Sequence, residues 1–306
     1  MEKQRDSYFD FLRGIAIAMV VAIHTYAAVD EISLTVLFRQ SLNCAVPLFL
    51  AISGYFIGKK DLLNKGNYVD FIKKQLPRVH IPMLLWSILW FGLDYIHNGL
   101  HLSMLLAFVG GYSVYYFIIL IIQYYLLTPI IQKTSLQRAL FGASVTTLLG
   151  IATFVFLMHV KQLNIPMWLN GSPFILWLIF YVLGVKFSNG LRFRWWYVAL
   201  AVAFLLLSLG EVCFYSSLGK VAHGIKISSH CYSTFFILIV LSNEVREKFL
   251  KIQNFKIARL VSWIGRQSFF IYLGHMFFTQ FVNKNSPPHG SLVYKMDNFN
   301  FADRAC

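Results

Sequence analysis

The stretch Tyr8-Phe-Asp-Phe-Leu-Arg13-Gly-Ile-Ala-Ile-Ala-Met-Val-Val-Ala-Ile-His24 decides the fold class. Between Arg13 and His24 every residue is apolar or glycine, and the apolar run that begins at Phe11 is long enough to cross a hydrocarbon core of about 30 Å, which takes about 20 helical residues. Comparable runs recur along the chain. Windows of about 20 residues place spans near 11–29, 42–58, 79–96, 112–131, 139–158, 165–185, 195–214, 227–243 and 261–282. The expected fold is therefore all-α, a polytopic transmembrane bundle of about nine spans. The second and eighth runs are short and carry Pro47, Ser53, Gly54, Ser228, Ser229 and His230, so neighbouring helices are expected to cover them. Residues 1–284 form the expected membrane domain, and 285–306, with Pro287-Pro288 and mixed charges, form a polar tail that cannot span.

Composition agrees with this reading. Of the 306 residues 58% are hydrophobic and 13% charged, whereas soluble domains hold roughly 45–50% and about 25%, so a soluble single domain is excluded. A net charge of +14 suggests an anionic partner until the cations are placed. With the N-terminus on the cytoplasmic side, 20 of the 27 Lys and Arg residues fall in inner segments, which is the positive-inside pattern and removes the case for nucleic acid. The segment 59–78 is denser than topology requires: Lys59, Lys60, Lys65, Lys73, Lys74 and Arg78 form an expected loop able to dock a cytosolic phosphate-bearing ligand. The four cysteines have no paired spacing, no histidine pattern resembles HExxH, and no metal site is expected.

Ionisable groups inside spans are costly and are functional candidates by default, although a plain helix–helix hydrogen bond explains many of them. Arg13 and His24 are eleven residues apart, three helical turns, and so share one stripe with a rise of about 16 Å between them. A cation at the mouth leads to an imidazole in the interior, and a neutral imidazole can accept a proton or attack an acyl carbon. Ser53 and Gly54 permit close backbone approach, and Tyr55 adds a hydroxyl at the same end of its span. Ser268, Tyr272 and His275 follow i, i+4, i+7 spacing and bring a second intramembrane histidine inward. His97, His101, His159, His223 and His230 are assigned to outer loops or their edges.

These residues resemble the acyltransferase 3 family of bacterial integral membrane O-acyltransferases, over most of the chain. Arg13 to His24 is similar to the family's R-x10-H element, and Phe49-Leu-Ala-Ile-Ser53-Gly54-Tyr55 to its F-x-x-S-G-F/Y element. Tyr115-Tyr-Phe with Tyr125-Leu-Leu-Thr-Pro129 resembles the aromatic fourth-span element, and Gly265-Arg-Gln-Ser268-Phe-Phe-Ile-Tyr272-Leu-Gly-His275 resembles G-x-x-S-x-x-I-Y-L-x-H. Two departures stand out. Gln75 occupies the first position of the family's R-x-x-R element, leaving Lys74 beside it as the substitute cation ahead of Arg78, and the polar tail stands where the family has a tenth span, as a truncated or frame-shifted C-terminus would.

The resemblance implies transfer of an acyl group, most simply acetyl from acetyl-CoA, to a hydroxyl of an envelope sugar, polysaccharide or lipid-linked glycan at the bacterial inner membrane. No tightly bound cofactor is implied, since acyl-CoA is a substrate. Arg13, Lys74 and Arg78 are the expected phosphate ligands, His24 the base or acyl carrier, and Tyr55, Ser53 or His275 the expected oxyanion donor. The expected partners are acyl-CoA, the glycan acceptor and membrane lipids, around a monomer or dimer. The alternative is a transporter or flippase of lipid-linked sugars, whose polar residues line a path instead of performing chemistry.

Overall fold

The computed structural model describes residues 6–25, 34–99, 108, 115–161, 163, 171–217 and 225–285. Twelve α-helices lie within them: α1 Ser7–Thr25, α2 Leu34–Ser41, α3 Ala45–Gly58, α4 Lys65–Asn98, α5 Tyr116–Lys133, α6 Leu136–Val155, α7 Leu178–Lys186, α8 Trp195–Ser217, α9 Ile227–Val240, α10 Asn243–Ile252, α11 Lys256–Arg266 and α12 Ser268–Asn285. A 3-10 turn at Leu42–Cys44 joins α2 to α3, and another at Phe174–Leu176 precedes α7. Among the described residues no strand forms, and five helical segments are long and apolar enough to cross a membrane: Ser7–Thr25, Val36–Gly58, Tyr116–Lys133, Leu136–Met158 and Trp195–Ser217.

Three expectations change. The cationic segment 59–78 is not a loop, because α4 starts at Lys65 under an Asn64 cap whose side chain accepts from the Gly66 and Asn67 amides. It runs 34 residues, roughly 51 Å, through Pro77 and Pro82 into the expected third span. The expected ninth span begins later, at Ser268. The chain breaks at Gln267, and residues 256–266 form a separate amphipathic helix that exposes Ile257, Leu260 and Trp263. His230 lies inside α9, buried against Trp177 and Phe180, and not in a loop. The polar tail, and parts of the fourth and sixth expected spans, fall outside the described residues; what is described of the sixth is α7, buried from Ile179 to Val185.

Lipid offers helices little hydrophobic reason to associate, so close backbone packing must do it. Glycine supplies that closeness at two crossings. A Cβ on Gly265 of α11 would run into the Asp10 carbonyl oxygen of α1, and one on Gly14 of α1 into the Val261 carbonyl oxygen of α11. Gly54 of α3 and Gly184 of α7 meet the Tyr181 and Ala51 carbonyl oxygens in the same manner. α3 is thereby the most enclosed of the five long segments, while α6 and α8 sit at the rim with Phe141, Leu149, Leu206 and Phe214 outward.

One end of α1 is pinned by polar contacts. The Tyr8 hydroxyl donates to Val240 O at 2.6 Å, Arg246 pairs with Asp6 at 2.6 Å, and the Ser7 hydroxyl donates to Gln253 at 2.7 Å. Nearby, Glu244 accepts the Phe193 amide at 2.8 Å, and that hydrogen bond holds its carboxyl below the usual carboxylate range.

Gly265→Val is expected to force α1 and α11 apart and lower stability by about 1–3 kcal/mol. Gly142→Ala, whose Cβ would meet nothing within 4 Å, should cost nothing. Unfolding midpoints of the purified protein in detergent measure both, and an unshifted Gly265→Val midpoint would refute the crossing.

Candidate active site

His24 and His275 come together. α1 carries His24 one residue from its end, α12 carries His275 in its second turn, and the ring centroids stand 5.2 Å apart. His24 is half-buried and His275 buried. The Nδ1 of His275 lies 2.6 Å from Tyr272 O, so this nitrogen carries the hydrogen and donates. Its Nε2 is then the acceptor, and it is buried without a hydrogen-bond partner. Among the described residues this buried nitrogen has no partner, and the second imidazole beside it is placed to supply one.

The pair is held by an aromatic floor. Tyr272 packs on Tyr115 and Phe117, and the Tyr115 hydroxyl donates to Leu273 O while accepting from the Trp90 indole at 3.3 Å. α4, α5 and α12 are thus tied at the level of the two histidines.

The other end of the stripe is separate. Arg13 pairs with the buried Asp10 at 2.9 Å and rests on the Phe56 ring, 5.0 Å from its centroid. Ser53, one turn from Phe56 on α3, and Arg78 of α4 both act on the Tyr125 hydroxyl, so Arg13 and Arg78 approach the same stretch of α3 from two sides. Lys74 and Arg78 are exposed, and Lys59 caps the Tyr55 ring at 4.3 Å.

Tyr55 stacks on Phe9 at 4.3 Å between centroids, which sets it at the level of a residue fifteen positions before His24, roughly 22 Å away along α1. Tyr55 and its neighbour Ser53 therefore belong to the Arg13 end and do not meet His24. Between the two ends the stripe is packed: Ile17 and Val20, the residues that share the face of Arg13 and His24, are buried with Ala45, Met83 and Ile118. An open apolar groove of about 340 Å³ runs beside it, lined by Ile17, Ala18, Val21, Ala22, Thr25, Ile264 and Ile271, on a face of α1 turned by roughly 100° from the stripe.

A polar network near His24 has no precedent in the linear pattern. Arg39 on α2 lies within electrostatic reach of both His24 and Lys226 and donates to Asn43 Oδ1 at 3.1 Å. The Gln40 carbonyl oxygen accepts from Asn43 at 2.9 Å and from Ser208 at 3.1 Å, and Lys226 donates to Ser208 O at 2.8 Å. Glu211 stands by Lys226 and accepts from Ser228. In the sequence Arg39 and Lys226 look like scattered outer cations. The one signal of their role was two cations at the edges of apolar runs, on the side with few cations.

Residues 6–300 match the acyltransferase domain that defines the acyltransferase 3 family. The chain belongs to that family. Its acyltransferase domain thus spans nearly the whole sequence, and the enzyme class follows. Partial similarity extends to an amino-acid racemase of Enterococcus faecalis, 33% identical over 109 residues, which is 33% of this chain and 15% of that protein. It extends also to the nodulation protein NolL of Mesorhizobium japonicum, 32% identical over 92 residues, and of Sinorhizobium fredii, 33% identical over 90 residues; each match covers 28% of this chain and 24% of the relative. The matched stretches are thus less than a quarter of each relative's length. No solved structure matches the chain.

Tyr115→Phe should leave the Trp90 N–H buried and unpaired and strip the Leu273 carbonyl of its second hydrogen bond, costing about 1–3 kcal/mol. Denaturant unfolding measures the loss. A curve superimposable on that of the wild type would remove Tyr115 as the anchor of the histidine pair.

Proposed function

We propose that this acyltransferase moves an acyl group, most simply acetyl, from acyl-CoA to a hydroxyl of an envelope sugar, polysaccharide or lipid-linked glycan in the bacterial inner membrane. In this reading the chain crosses the membrane about nine times with its N-terminus in the cytoplasm. The single observation that carries it is the His24–His275 pair, two imidazoles 5.2 Å apart with a buried unpartnered nitrogen between helices.

His275, donating through Nδ1 to Tyr272 O, offers Nε2 as an acceptor. It can take a hydrogen bond from one nitrogen of His24 and leave the other nitrogen of His24 basic. That makes His275 a positioning residue for His24 and not a donor to the oxyanion. His24 then removes the proton of the acceptor hydroxyl as its oxygen attacks the thioester carbon; the C–O bond forms, the C–S bond breaks, and the proton passes from His24 to the coenzyme A thiolate. The relay form has the same balance: the C–N bond to a His24 nitrogen forms as the C–S bond breaks and the thiolate leaves, then the C–N bond breaks as the acceptor oxygen attacks, and the hydroxyl proton ends on the coenzyme A thiolate.

Lys74 and Arg78, exposed on one flank of α4, are the phosphate ligands for coenzyme A in this reading, with Arg13 behind them across α3. Because Ile17 and Val20 fill the stripe between Arg13 and His24, the pantetheine arm requires these side chains to move aside or takes a path next to them.

His24→Ala in membranes supplied with labelled acetyl-CoA is expected to lower acetyl transfer by about 10²–10⁴-fold at equal protein level. Undiminished transfer would end the proposal. His275→Gln, which keeps an acceptor, should retain more activity than His275→Ala. Lys74→Gln combined with Arg78→Gln should raise KM for acyl-CoA while leaving the unfolding midpoint in place, and an unchanged KM would remove the phosphate contact.

A further inference from the structure

Among the described residues, the network around Arg39 has more hydrogen-bond donors than acceptors to meet them. Gln40 is fully buried and its carbonyl oxygen is occupied by Asn43 and Ser208, yet its Nε2 finds no partner. Lys226 is 2% exposed, and its ammonium is hydrogen-bonded to a single neutral oxygen, that of Ser208. Arg39 has one hydrogen-bond partner, Asn43, for a fork of five N–H groups. Among the described residues no carboxylate lies within 4.0 Å of either cation, and the nearby Glu211 is engaged by Ser228. The Glu211 carboxylate offsets one of the two cations, and the remaining cation with the buried amide donor of Gln40 costs free energy in this largely covered site unless a further anion completes them.

The position of the cluster says which anion it serves. It adjoins the half of α1 that carries His24, since Cys44, in the turn that follows α2, meets Met19 of α1 sulfur to sulfur at 3.7 Å and Arg39 stands within electrostatic reach of His24, whereas Arg13 on Phe56 and Arg78 near Tyr125 stand toward the other end of α1, about 16 Å from His24 along that helix. The two cationic groups bracket the histidine pair, one at each end. Acyl-CoA needs one of them; the other is left for the molecule that receives the acyl group. A phosphate ester presents several acceptor oxygens to separate donors, which suits Arg39, Gln40 and Lys226 better than a carboxylate with two.

We propose that Arg39, Gln40 and Lys226 form an anion site beside His24 that holds a phosphate ester of the acyl acceptor, so that the accepting hydroxyl belongs to a phosphate-bearing, lipid-linked glycan. The inference rests on the acyltransferase reading above. It adds a substrate class and three binding residues to that reading. Asn43 and Ser208 hold Gln40 with its amide N–H free for the ligand, and the Tyr232 hydroxyl, donating to Ser41 O at 3.1 Å, joins α9 to α2 around the site.

The test uses the full chain, delipidated in a neutral detergent, and native mass spectrometry with geranylgeranyl phosphate, geranylgeraniol and phosphatidylglycerol as probes. The wild type is expected to retain geranylgeranyl phosphate and not the alcohol. Arg39→Gln and Lys226→Gln should each weaken retention about tenfold or more, while Lys74→Gln with Arg78→Gln should not change it. Gln40→Glu guards against simple misfolding: it supplies the missing anion from within, so it should raise the unfolding midpoint and abolish phosphate binding together. Equal retention by wild type and Arg39→Gln, equal retention of the alcohol, or a Gln40→Glu protein that still binds the phosphate would overturn the proposal. Phosphatidylglycerol held as tightly as geranylgeranyl phosphate, with the same Arg39 dependence, would assign the site to bilayer lipid and overturn its assignment to the acceptor. Acetyl transfer measured on the same preparations separates the two readings. Phosphate binding without any transfer by the wild type would strike the acyltransferase reading alone, and transfer without phosphate binding would strike the anion site alone.

Discussion

Backbone against backbone is the contact on which the rest of this molecule depends. Gly14 and Gly265 let α1 and α11 approach until carbonyl oxygens occupy the space of a side chain, and Gly54 and Gly184 do the same for α3 and α7. In water such a crossing would be one contribution among many. In lipid, where apolar surface gains little by leaving its solvent, the dispersion and weak polar contacts of close approach are a principal reason for helices to associate. Several candidate site residues are mounted on these crossings or one step from them. Arg13 adjoins Gly14 on α1, Ser53 adjoins Gly54, and His275 rides on α12 directly after the helix that carries Gly265.

The arrangement separates two kinds of chemistry along one helix. At the Arg13 end, cations are numerous and partly exposed, and they rest on aromatic faces: Arg13 on Phe56, Lys59 on Tyr55, Lys60 on Phe71. Such contacts hold a cation in place over an aromatic face, and Arg13 is held further by its ion pair with Asp10. At the His24 end the polar groups are few and largely enclosed, and among the described residues they satisfy one another through Asn43, Gln40 and Ser208 until acceptors run out. Between these ends the buried Ile17 and Val20 interpose an apolar layer that keeps the two kinds of site apart.

Much of this was legible in the linear order because it is periodic. The Arg13 to His24 stripe follows from three helical turns, and the inward turn of His275 from i, i+4, i+7 spacing; the His24–His275 contact brings the two stripes together at 5.2 Å. What escaped was of two kinds. The first part of α4 was expected as a loop because the segment 59–78 is dense in cations, yet an Asn64 cap and 34 residues of continuous turns carry the chain through both prolines into the expected third span. The second kind is long-range: Gln40, Ser208 and Lys226 share hydrogen bonds across 168 and 18 positions, and no local pattern encodes which residue of α8 meets α2. Ser53 and Tyr55 show the limit from the other side. They stand one turn from the right neighbours in a motif, but α3 delivers them to Phe9 and Tyr125, far from the imidazoles.

The prolines of α4 make it a jointed lever. Pro77 and Pro82 lack the amide hydrogens that the Lys73 and Arg78 carbonyls would otherwise receive, so the rod is softened where it carries its charge. Lys73 and Lys74 lie eight to nine residues from Pro82, an arm of roughly 13 Å. A flex of about ten degrees at that joint sweeps their backbone by about 2 Å, while the far arm stays tied through Trp90 to Tyr115 and α12. Two ångströms is the difference between an ion pair and a pair separated by water, so under the proposed phosphate contact a bend at this joint would loosen or tighten the grip of Lys74 while the helix stays anchored in the bundle.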